Sequence, residues 1–138
     1  KEDLAPLDIK HWVASHGLWT DEFIDRQDSD EVELPYHNYI SFRSPIFSVT
    51  GNLEKLQLEF ENLRKVDTPA RLSIDVINAD TNQSLIEQQL VIADKAQAEL
   101  NLTGITDKSV FIQLRLKHKN EKDPQMRARL ISISSSRP

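Results

Sequence analysis

From Ser109 to Lys117 apolar and polar residues alternate: Val110, Ile112, Leu114 and Leu116 share one parity, and Gln113, Arg115 and Lys117 the other. Successive side chains of an extended strand leave opposite faces of a sheet, so this spacing predicts a strand with one buried face and one wet face. Residues 70–78 repeat the pattern, with Leu72, Ile74 and Val76 on one side and Arg71, Ser73 and Asp75 on the other.

The remaining segments are shorter and are punctuated by turn residues. Val32, Leu34 and Tyr36 alternate; Tyr39 to Phe42 and Pro45 to Val49 are rich in aromatic and β-branched residues, giving two short strands broken at Ser44-Pro45. Residues 53–64 are ambiguous. Leu53, Leu56, Phe60 and Leu63 fit a helical stripe, whereas Leu56, Leu58 and Phe60 fit strict alternation. Extended neighbours on both sides decide for a strand. Ser84 to Glu87 has the form of a capping box that would start a helix, but Gln88, Leu90 and Ile92, and later Ala98, Leu100 and Leu102, keep period two around a polar break at Asp94-Lys95. Two strands are expected there. In the closing segment RARLISIS the parity shifts near Leu130-Ile131, as a β-bulge would produce.

Near the start, Ile9, Trp12, Val13 and His16 stand at helical spacing after Asp8, with Gly17 as a stop, and predict one short N-terminal helix whose stripe docks Trp12 on the sheets. A lead-in extended segment is the alternative. The acidic run from Asp21 to Glu33 reads as a solvated loop. About eight short strands separated by turns place the chain in the all-β class, as a sandwich or barrel. The expected organisation is one domain over residues 1–138, with 1–31 as a lead-in and 32–138 as the sandwich. Lys1 in place of a methionine suggests a piece of a longer protein.

Composition narrows the function. A net charge of -5 gives nucleic-acid phosphates no general attraction. No run approaches the roughly 18 apolar residues that span a bilayer, so membrane insertion by this segment is not expected. The absence of cysteine rules out disulfides, thiolate metal sites and cysteine nucleophiles. No phosphate-cradling glycine loop, G-x-S-x-G elbow or His-x-x-x-His pair occurs, so no enzyme activity and no cofactor are expected. The carboxylates of residues 21–33 invite a structural calcium ion, but they lack the Asp-x-Asp-x-Asp-Gly order of a recognised calcium loop.

From Tyr39 onward the order of elements resembles the galactose-binding-like jelly rolls, which include many carbohydrate-binding modules. The likeness rests on ISFRSPIFSVTG before a leucine-rich strand, then on ARLSIDVINADTNQS, AELNLTGITDKSVFIQLRL and the closing RARLISIS. It implies a two-sheet antiparallel β-sandwich. It also implies a non-catalytic, extracytoplasmic module, periplasmic or secreted, that binds a carbohydrate or similar polar ligand. Two other readings share that fold. One is an interaction or sensory domain of a membrane-anchored protein that meets a protein partner, and the other is an accessory domain of a hydrolase.

Sugar sites combine aromatic faces with side chains that pair with hydroxyls. Trp19, Tyr36, His37, Asn38 and Tyr39 are the loop candidates, the last four following Pro35 in one run. Arg71, Asp75, Gln113 and Arg115 are the sheet candidates, with outward parity on the two best-defined strands. The competing explanation is that opposite charges simply pair across neighbouring strands.

Overall fold

The computed structural model describes residues 12–14, 32–33, 41–49, 55–63, 69–105, 108–117 and 128–136. The strands are β1 (Val13–Ala14), β2 (Val32–Glu33), β3 (Phe42–Arg43), β4 (Phe47–Ser48), β5 (Lys55–Asn62), β6 (Ala70–Asn78), β7 (Ser84–Ile92), β8 (Lys95–Asn101), β9 (Ser109–Lys117) and β10 (Ala128–Ser136). A 3-10 turn, Thr103–Ile105, follows β8. They form two antiparallel sheets. The front sheet runs β1-β3-β9-β6-β7, with β4 also beside β9, and the back sheet runs β2-β10-β5-β8.

The inward parities meet in one apolar core. Leu72, Ile74 and Val76 of β6 and Val110, Ile112, Leu114 and Leu116 of β9 belong to the same buried cluster as Leu56, Leu58 and Phe60 of β5 and Leu100 of β8. Each such side chain contributes roughly 1.5–3 kcal/mol by leaving water. Within the ambiguous stretch this settles Lys55–Asn62: β5 is flanked by β8 and β10, and its burial alternates residue by residue. A helix would forgo both ladders. The capping-box segment is likewise extended, as β7 paired along β6. In β10 the register slips between Leu130 and Ser132, so that Leu130 lies opposite Phe60 and Ile133 opposite Leu58. The bulge at Ile131 returns the apolar parity to the core, as its sequence requires.

The expected N-terminal helix is corrected. Val13 and Ala14 are a strand, pairing with Arg43 and Phe42. Trp12 does dock on the sandwich: it is fully buried, and its ring stacks on Phe42 with centroids 5.6 Å apart. Sheet pairing and this ring contact override a weak helical stripe whose other positions, Ile9 and His16, lie outside the described residues.

Polar side chains close the gaps that the strands leave. Ser44, at the expected break between β3 and β4, hydrogen-bonds through its backbone N–H to the Ile112 carbonyl at 2.9 Å. Its Oγ accepts from the Ile112 N–H at 2.9 Å and donates to the Pro45 carbonyl at 2.9 Å. The side chain thus keeps the β9 ladder satisfied across the interruption. Ser44→Ala would leave the buried Ile112 N–H unpaired and is expected to lower stability by about 1–3 kcal/mol, read as a shifted urea midpoint at constant m-value. At the turn after β6, Asn78 Oδ1 accepts from the Asp80 and Thr81 N–H groups, and Asn82 takes φ 61°, a left-handed value that asparagine tolerates. Gln88, on the core parity of β7, donates to the Glu99 carbonyl of β8 at 3.0 Å and so links the two sheets at their shared margin.

Candidate functional site

Residues directly opposite in an antiparallel pair project from the same face, so the strand register assembles the outer surface of the front sheet. Along β6 and β9 the outward pairs are Ser73 with Arg115, Asp75 with Gln113, and Ile77 with Phe111, with Arg71 next outward along β6. β7 sets Gln89 opposite Ser73 and Glu87 opposite Asp75. β3 sets Arg43 opposite Gln113. One row therefore reads Arg43, Gln113, Asp75, Glu87 across four strands, and the next reads Arg115, Ser73, Gln89. All four sheet candidates, Arg71, Asp75, Gln113 and Arg115, fall on this one surface. The loop candidates Trp19, Tyr36, His37, Asn38 and Tyr39 lie outside the described residues, as does the acidic stretch apart from Val32 and Glu33.

Several side chains of the face hold one another in place. Arg43 Nε donates to Gln113 Oε1 at 3.0 Å and to Ser41 Oγ at 3.2 Å, and its guanidinium carbon lies 5.4 Å from the centre of the Phe111 ring. Arg115 Nη2 stands 3.9 Å from Asp75 Oδ2, and Gln89 Nε2 donates to Ser73 Oγ at 3.4 Å. Outward parity led to the expectation that Ser73 and Asp75 are solvated, yet they are only 3% and 7% exposed. Part of their cover is the longer partner of each, Gln89 and Arg115. The Arg115 Nε is buried and has no hydrogen-bond partner, an uncommon state for a charged group's donor.

Two members of this face escaped the sequence reading. Arg43 follows the inward Phe42 and so has outward parity, but the break at Ser44-Pro45 leaves too short an alternation to reveal it. Phe111 has the parity of Gln113 and Arg115, and its apolar character masked that. Among the described residues no three His, Asp, Glu or Cys side chains converge, and the acidic stretch that invited a calcium ion lies outside them apart from Val32 and Glu33.

No family profile and no curated protein sequence matches the chain. Solved structures do. A carbohydrate-binding module, CBM4, superposes with a TM-score of 0.57 at 14% identity, covering 98% of this chain and 92% of that one. A cleaved adhesin domain of Lys-gingipain from Porphyromonas gingivalis gives a TM-score of 0.55 at 11% identity, covering 96% and 95%. The carbohydrate-binding module CBM36, solved with calcium and xylotriose, gives 0.50 at 14% identity, covering 76% and 79%. The chain resembles carbohydrate-binding-module jelly rolls in fold. At these identities the likeness concerns architecture and leaves the ligand to be argued from the face itself.

Proposed function

We propose that this chain is a non-catalytic carbohydrate-binding module that works outside the cytoplasm, with the outer face of the front sheet as its ligand surface. The observation that carries the reading is the row Arg43, Gln113, Asp75, Glu87, in which a guanidinium and an amide stand beside two carboxylates across four strands of one sheet. Sugar hydroxyls both donate and accept, so a surface that offers amide, guanidinium and carboxylate groups together suits them. The fold likeness to carbohydrate-binding modules supports the same reading.

Binding is favoured over hydrolysis by the state of the carboxylates. Asp75 and Glu87 face each other on β6 and β7, but Asp75 is largely buried and ion-paired with Arg115. It is held as part of the surface rather than left available as an acid or nucleophile. The extracytoplasmic location follows from the proposed ligand. No helix among the described residues is long and apolar enough to cross a membrane.

A glycan array probed with this chain, with and without calcium, tests the reading, followed by calorimetry on the strongest binder. Gln113→Ala removes one amide from the centre of the row and is expected to weaken binding by roughly 5- to 30-fold, the equivalent of one or two hydrogen bonds. Unchanged affinity in both Gln113→Ala and Gln89→Ala would move the site off this face. Silence across the array, with and without calcium, would replace the carbohydrate by a protein partner.

A further inference from the structure

The face is rich in cationic donors. Its register gathers Arg43, Arg71 and Arg115 with Asp75 and Glu87, on a chain whose net charge is -5. Of the two carboxylates, Asp75 is already engaged by Arg115. Guanidinium and ammonium groups only donate, whereas a sugar hydroxyl also needs acceptors.

Arg43 is the best-prepared of these cations. It is exposed, and exposed arginines ordinarily sample many rotamers. Here Nε is held by Gln113 and Ser41, and the guanidinium lies over Phe111. The hydrogen bonds of Arg43 engage Nε alone, leaving the paired Nη groups for another acceptor. A planar fork held in this way matches a carboxylate or sulfate edge through two parallel hydrogen bonds. The same contact occupies Phe111, the one aromatic ring that the described strands place on this face, so a neutral pyranose would have to displace Arg43 to stack on it.

We infer that the ligand is an acidic glycan whose carboxylate or sulfate group is bound by the Arg43 guanidinium. This rests on the carbohydrate reading above and adds the ligand's charge and the residue that reads it.

The test compares three probes by calorimetry: an oligogalacturonate, its carboxyl-reduced neutral counterpart, and a sulfated oligosaccharide of similar length. The expected result is binding of an anionic probe at least about ten-fold tighter than the reduced one. Preference for the oligogalacturonate would assign a carboxylate, and preference for the third probe a sulfate. Arg43→Gln should remove most of the difference. Arg43→Lys, which keeps the charge but not the fork, should restore only part of it. Both variants should keep the parent's circular dichroism and melting temperature, since Arg43 lies outside the core. Equal or tighter binding of the reduced probe, still weakened by Gln113→Ala, would overturn the acidic ligand and leave the carbohydrate reading standing. Failure of all three probes, together with a silent array, would overturn both.

Discussion

Replacing Trp12 with alanine is expected to lower the unfolding free energy by about 3–5 kcal/mol, the usual cost of emptying a large aromatic site in a core. The ring is fully buried, and its stacking partner Phe42 is itself part of the core. Among the described residues β1 contributes Val13 and Ala14 alone to the front sheet, few ladder bonds beside the burial of a tryptophan. Trp12 is therefore the anchor and the two-residue strand follows from it. A double-mutant cycle with Phe42→Ala should return a coupling of about 0.5–1.5 kcal/mol for the ring pair. If the Trp12→Ala midpoint in urea stayed within the range of surface substitutions, the lead-in segment would not belong to the folded core.

The second large effect is expected at Asn62. This side chain is fully buried at the end of β5, and its Nδ2 donates to the Ile92 and Ala93 carbonyls at 2.9 and 3.2 Å. Its backbone N–H donates to Asp94 at 2.7 Å. One asparagine thus ties the back sheet to the turn between β7 and β8. Asn62→Asp keeps the shape but turns a donor into an acceptor facing two carbonyl oxygens. At neutral pH a buried charge facing those two oxygens should cost roughly 3–5 kcal/mol. Burial and those oxygens raise the folded-state pKa of the new carboxyl above its unfolded value of about 3.9. The deficit relative to the parent should therefore be smallest below that pH and grow as pH rises through the raised folded-state pKa. Urea titrations of both proteins from acid to neutral pH would show this slope, and a deficit independent of pH would mean that residue 62 stays hydrated.

The long alternations at 70–78 and 109–117 specified their strands because period two leaves a helix no apolar face. The bulge at Ile131 was legible for the same reason, as a slip in parity. Residues 53–64 carried both periods at once, and only the ladders to β8 and β10 decide between them. The helical stripe at Ile9, Trp12, Val13 and His16 misled because what holds Trp12 is Phe42, a contact that no local pattern contains. The same limit governs the site. Parity alone put Arg71, Asp75, Gln113 and Arg115 on wet faces, but it could not show that β6 and β9 are neighbours in one sheet. Nor could it show that Arg43 is held by Gln113, a residue 70 positions away.

The order of strands in the two sheets has a consequence for how the protein is made. β9 lies between β3 and β6 in the front sheet, and β10 lies between β2 and β5 in the back sheet, although both come after every other described strand in the chain. At synthesis rates of about 5–20 residues per second, β5 emerges seconds before the β10 strand that will cover its flank. During that interval Leu56, Leu58 and Phe60 sit on an open edge of the kind that recruits other chains. A nascent chain arrested before Ala128 should therefore be found with chaperones or in aggregates rather than as a half-built sandwich. Folding here begins late, and protection of the unfinished chain is part of what the topology demands.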